Sequence, residues 1–266
     1  MKQQAVLTQT LFLVSLVFFF SRCQKLLDHR SGEDSGTISR SLLPCQINQF
    51  RFSYNDGWST TNDTMVFTYN IAGNPVSGVR QLVGTGSPDL LFRYNASNGL
   101  TDLIGSYSSA PITDSSVVEV WHKYGYNGSG NITIDTTYFF PTVVGGQPTV
   151  GSFGSIVFYN YSYDSLSRII TSQASFSPPV SYTYNSAGNL TGPSYDTLTN
   201  FHQTNKVWKF LDRNYSINNP LPATYTYNLS KYPTHIVEPS GSFGSFLNSG
   251  ESSITFTEAH IVYSCN

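Results

Sequence analysis

One short phrase recurs along this chain: an aromatic residue, any residue, Tyr, then Asn or Asp, then a run of turn formers. The copies read FTYNIAGNPV from Phe67, FRYNASNGLT from Phe92, YGYNGSGNIT from Tyr124, YSYDSLSRII from Tyr161, YTYNSAGNLT from Tyr182 and YTYNLSKYPT from Tyr225, with FSYNDG from Phe52 as a truncated copy. A unit this short cannot bury a core of its own, so each copy must be one hairpin of a larger sheet. In Tyr182-Thr183-Tyr184 the two rings share one face of a strand and Thr183 points to the other. Asn185 to Asn189 then supply residues that tolerate positive φ or bond their own backbone, which reverses the chain before Leu190 and Thr191. The copies are unevenly spaced, which disfavours a propeller or solenoid and is tolerated by an antiparallel meander.

Composition agrees. Aromatic residues make up 15% of the chain and charged residues only 11%, the balance of a strand-rich protein. The expected fold is all-β: a meander of hairpin repeats forming a curved sheet or a closed barrel-like domain. Strand candidates are Gln46–Tyr54, Thr64–Asn70, Val76–Val83, Leu90–Tyr94, Ser116–Tyr126, Ile132–Phe140, Ser155–Tyr163, Arg168–Phe176, Val180–Asn185, Ala223–Tyr227 and Ile254–Ser264. One segment lacks strand alternation. Phe201, Val207, Trp208 and Leu211 fit a helical stripe, so one short helix is expected near 203–213, plugging an open edge or barrel mouth. No internal linker divides 45–266, which reads as one domain.

The repeat resembles the YD repeat, the tyrosine–aspartate hairpin of Rhs-type proteins, toxin-complex shells and teneurins. YSYDSLSRII and YTYNSAGNLT carry the resemblance best, although Asn replaces Asp in the other copies and in the second of these. It covers about residues 50–235, and so few copies cannot enclose a protein cargo as large Rhs shells do. The chain is also similar to small secreted lipoproteins of Bacteroidota type, which carry a few such hairpins behind a lipoprotein signal. That resemblance implies architecture and location, and no defined activity.

Lys2 precedes the apolar stretch Leu11–Phe20, which has the length of a signal-peptide core and is short for a bilayer span. Residues 1–22 read as a signal peptide and Cys23 as a lipidated first residue of the mature chain, despite Arg22 where a small residue is preferred. Residues 23–44 are polar and read as a flexible tether. The expected location is the cell envelope, most simply the outer membrane, reached across the inner membrane. Removing Cys23 from the count leaves Cys45 and Cys265, an even pair in an oxidising compartment, and hence a disulfide joining the first and last strands. If those strands are the two ends of the sheet, the bridge also closes it.

No sequence pattern carries catalysis. His122, His202, His235 and His260 form no HxH, HxxxH or HExxH motif, and neither a G-x-S-x-G elbow nor a phosphate-binding glycine loop is present. No cofactor and no metal is expected. Net charge is −2, which leaves no electrostatic footprint for nucleic acid. Trp58, Trp121 and Trp208 are candidate sugar-stacking residues, with core packing the stronger reading for the last two. The expected function is a non-catalytic binding or structural role, with a membrane held through the lipid and a glycan or an envelope protein as partner. The alternative is a polysaccharide-acting hydrolase whose carboxylates are scattered in sequence.

Overall fold

The computed structural model describes residues 45–55, 60–84, 86–108, 110–237, 247 and 255–265. The signal segment, the tether with Cys23, and Trp58 lie outside the described residues.

Each complete phrase folds into the same turn, and the fourth residue builds it. The side-chain oxygen of Asn70 accepts from the amides of Ala72 and Asn74, and Asn95 does the same for Ser97 and Gly99. Asn127, Asp164 and Asn185 repeat the pattern at 2.9–3.0 Å. One carbonyl-like oxygen suffices, which is why Asn and Asp exchange freely at this place. The seventh residue takes positive φ in all six copies, at Gly73, Asn98, Gly130, Ser167, Gly188 and Lys231.

Among the described residues the chain forms β1 (Gln46–Asn55), β2 (Thr60–Tyr69), β3 (Pro75–Arg80), β4 (Asp89–Tyr94), β5 (Leu100–Ser106), β6 (Val118–Tyr126) and β7 (Ile132–Phe139). After these come β8 (Thr142–Val144), β9 (Gln147–Thr149), β10 (Ser155–Tyr163), β11 (Ile169–Ala174), β12 (Val180–Ser181) and β13 (Ser194–Thr199). A 3-10 turn (Phe201–Thr204) and helix α1 (Lys206–Leu211) precede β14 (Asn218–Leu221), β15 (Thr224–Tyr227), β16 (Pro233–Val237) and β17 (Thr255–Ser264). Thirteen strands form one antiparallel sheet in the order β12-β11-β10-β7-β6-β5-β4-β3-β2-β1-β17-β16-β15.

The sheet is curved and not closed. Just past the turn, five hairpins skip one residue on the return strand, for example Thr68↔Ser77 followed by Tyr69↔Pro75, and Gly125↔Ile134 followed by Tyr126↔Ile132. Such bulges raise local twist and bend the strand. The core demands that bend. Phe201 packs on Phe50 of β1 with centroids 5.7 Å apart, and Phe210 packs on Tyr161 of β10 at 5.3 Å. A flat sheet would hold β1 and β10 roughly 34 Å apart at ~4.8 Å per strand, whereas the 3-10 turn, extended Asn205 and α1 together carry the chain from Phe201 to Phe210 over at most about 19 Å. The sheet therefore wraps around α1.

The bulge has a second consequence, because the ninth residue of a phrase turns its carbonyl toward the neighbouring hairpin. The third-position Tyr of that neighbour donates to it: Tyr94 to Pro75 at 2.7 Å, Tyr126 to Leu100 at 2.8 Å, Tyr163 to Ile132 at 2.5 Å and Tyr184 to Ile169 at 2.9 Å. First-position rings face the core instead, with Phe67, Phe92, Tyr124 and Tyr161 all buried. The phrase thus separates its two aromatics by function although they share a strand face: one fills the core and one staples hairpin to hairpin.

Helix α1 fills the curled face; it does not plug an edge or a barrel mouth as the sequence led us to expect. Its apolar stripe is Val207, Trp208 and Phe210, with Leu211 only partly buried. Asn205 caps it, its Oδ1 accepting from the Val207 amide at 2.9 Å while its Nδ2 donates to the Gly73 carbonyl at 2.9 Å. A smaller core (Ile104, Ile112, Val118, Trp121, Val143) lies elsewhere on the sheet under the β8–β9 hairpin. Between edges β12 and β15 stands the separate β13–β14 ribbon. Asn189 and Leu190 bond Asn218 and Ser216 on one side of it, and Tyr225 donates to the Pro220 carbonyl on the other. Pro220 lacks an N–H, which hinders extension of the ladder through β14.

Cys45 and Cys265 are bridged, with Cα atoms 4.2 Å apart. Their strands β1 and β17 pair side by side in the interior of the sheet, with Gln46 opposite Ser264. The bridge therefore joins the chain's first and last strands without closing the sheet, since the edges are β12 and β15.

Candidate functional site

The hairpin turns and α1 enclose a groove of about 480 Å³. Its floor is apolar and aromatic, from Leu100, Tyr126, Ile132, Tyr163, Phe210 and Tyr215. Its cations are Lys206, Lys209 and Arg168. Lys206, Lys209 and Phe210 reach the groove together because residues three and four apart share a helix face. Arg168 is committed, held by Asp164 at 2.7 Å and lying over the Tyr184 ring at 4.1 Å. Lys206 donates to the Asn98 carbonyl at 3.2 Å. Lys209 differs: it is half-buried, has no ion-pair partner among the described residues, and burial lowers its pKa. It also borders a second cleft of about 430 Å³ beside the Asn70–Asn74 turn, so the residue lines two cavities.

The buried polar clusters have a different character. His122 lies against Asp135 at 3.0 Å and Thr137 at 2.9 Å, yet both contact the same ring nitrogen, Nδ1. A relay from carboxylate through imidazole to a hydroxyl needs opposite nitrogens, so this cluster has no such geometry. His202 places Nδ1 2.7 Å from Asn200 Oδ1 and Nε2 2.6 Å from Asp212 Oδ2, which clamps the two ends of the 201–212 segment together. Asp63 and Arg80 form a fully buried pair at 2.8 Å, and Asp63 Oδ1 also accepts from the Thr64 and Leu82 amides.

The outer face brings together a group that the sequence search missed. His235, Glu258 and His260 converge on neighbouring strands β16 and β17. The missed signal was Glu258-Ala259-His260, a carboxylate and an imidazole two apart on one strand and hence on one face. The motifs searched for were helical spacings and histidine pairs, and none of them registers a ligand supplied by the next strand.

Of the tryptophans proposed for sugar stacking, Trp121 and Trp208 are fully buried and present no ring face to solvent. This corrects their assignment as ligand-binding residues. Trp208 packs between Phe67 and Phe92. Trp121 donates from Nε1 to Asp102 at 2.7 Å and lies under Arg93 at 4.9 Å. The face it shares with Glu119 is covered, with Glu119 buried as well.

No family model and no curated protein matches the chain. Among solved structures it is similar to a porin-like protein from Bacteroides uniformis, at 11% identity over 83% of this chain and 96% of the other, with a TM-score of 0.41. It also matches the Photorhabdus luminescens Tc holotoxin pore at 10% identity and a TM-score of 0.29, over 66% of this chain and 9% of that one.

Proposed function

We propose that this chain is a cell-envelope lipoprotein, anchored through Cys23, whose β domain binds an acidic glycan without catalysis. The observation that carries the binding assignment is Lys209, a half-buried ammonium without an ion-pair partner among the described residues, set in a groove floored by Tyr126, Tyr163, Phe210 and Tyr215. A partly desolvated cation is costly until an anion meets it, and aromatic side chains stack on the apolar faces of sugar rings. A saccharide bearing carboxylates satisfies both. The Cys45–Cys265 bridge supports an oxidising compartment.

Calorimetry with polygalacturonate and cello-oligosaccharides tests the binding. Acidic chains should bind and neutral ones should not, and Lys209→Met, which keeps the apolar stem, should remove the acidic binding. Failure to bind either series, or binding indifferent to Lys209→Met, rejects the groove. Steady release of shortened oligosaccharides would establish the hydrolase alternative instead. Anchoring is tested separately: Cys23→Ser should move the protein from the membrane to the soluble fraction.

A further inference from the structure

We infer that His235, Glu258 and His260 form a surface site for a divalent transition metal of the zinc type. Three features of the fold assemble it. Glu258 and His260 alternate onto one face of β17, and His235 on β16 stands directly opposite His260 in the ladder. The register shift between β1 and β17 falls beyond Ser53↔Glu258, so the pairing runs without interruption from Glu258 to His260 and keeps both on that face. The donor atoms of all three residues lie within 4.8 Å of one another.

Imidazole nitrogens and a carboxylate oxygen are the donors that zinc and its neighbours take, with three protein ligands leaving a fourth position open. Metal–ligand bonds of about 2.1 Å in a tetrahedron put donor atoms about 3.4 Å apart. His260 Nε2 and Glu258 Oε1 already stand 3.4 Å apart. His235 Nε2 stands 2.7 Å from the same oxygen, a hydrogen bond that would widen by about 0.7 Å as the metal replaces the proton. The two imidazoles stack in parallel, with centroids 4.1 Å apart. Their lone pairs lie in the ring planes, so both rings must tilt to converge on one ion. Side-chain exposures of 31% for His235 and 56% for His260 leave room for that tilt.

Glu258 and His260 also line a cleft of about 340 Å³ together with Arg51, Ser53 and Asn62. Arg51, opposite His260 on β1, donates from Nε to Gln49 at 3.0 Å along its own strand.

The test is a calorimetric titration of chelator-stripped protein, free of any polyhistidine tag, with zinc chloride. The expected result is one strong zinc equivalent per chain. His235→Ala and His260→Ala should each weaken it by about tenfold or more, since even a residue that only orients a ligand costs that much. The double variant should abolish the site, and Glu258→Gln should weaken it with both rings in place. Because all three residues lie on the solvent face, circular dichroism of the variants should match wild type. A wild-type protein that takes up no zinc, or a double variant that binds as wild type does, overturns the site.

Discussion

Replacing Trp208 by Ala tests the central claim about the fold, that α1 is the core around which the sheet curls. The side chain is fully buried, 5.0 Å from the Phe67 ring and 5.9 Å from Phe92 by centroid distance. Removing it leaves a void bounded by a sheet whose strands are held by ladders on both sides and cannot readily collapse inward. Trp-to-Ala losses run about 3–5 kcal/mol, and poor collapse puts this one near the upper end, about 4–5 kcal/mol. The aromatic contacts are part of that figure and are not added to it. For a domain of this size each kcal/mol moves Tm by about 2–4 °C, so the variant should melt roughly 8–20 °C lower. Urea unfolding followed by far-ultraviolet circular dichroism, with the disulfide intact in both proteins, gives the free energy directly. Lys206→Ala, an exposed residue at the start of the same helix, should change stability by less than about 0.5 kcal/mol. A loss below about 1 kcal/mol for Trp208→Ala would mean that the helix does not organise the curled face, and the argument from strand spacing would fail with it.

Three further outcomes follow from the same contacts. Tyr94→Phe removes the hydroxyl that donates to the Pro75 carbonyl and should cost about 1–2 kcal/mol in the same urea assay; no change would show that the hairpin staples contribute nothing. Alkaline pH should destabilise the fold: burial raises the pKa of Tyr69, Tyr94, Tyr161, Tyr163 and Tyr263, and pushes Tyr184 up to about 12. These rings favour the folded state fully below the unfolded phenol value of about 10, and that contribution is lost as pH rises toward the folded values. Most tyrosinate absorbance should therefore appear together with unfolding; gradual ionisation of a folded protein would contradict it. Alkylation without reduction should leave Cys45 and Cys265 unlabelled, and reducing the bridge should cost up to about 5 kcal/mol on a chain-entropy estimate for a loop of this length.

Much of the local structure was legible because it is chemically local. Asn or Asp at the fourth place and a tolerant residue at the seventh define a turn within five residues, and the turn defines its hairpin. So β2, β4, β6, β7, β10 and β11 came close to their expected ranges, and the two cysteines left once Cys23 is set aside are bridged as expected. β5 and the short strands β8, β9 and β14 were missed, because pairing with a neighbour makes them strands more than their own alternation does. Val180–Asn185 was overcalled for the complementary reason. Only β12, Val180–Ser181, finds a ladder partner there, while Tyr184 makes an isolated bridge to Leu190.

What the sequence by itself determined is the hairpin: its turn, its alternation and its paired aromatics, all set by contacts between residues a few places apart. Only the tertiary structure decided that the bulges curl the sheet around α1, that Trp121 and Trp208 are core, and that the disulfide joins interior neighbours and does not close a barrel. It alone set Lys209 in the lining of two cavities and His235 beside Glu258 and His260. Each of these depends on which strands lie side by side. Strand order is settled by the summed burial of the whole sheet, and no stretch of the chain carries that sum.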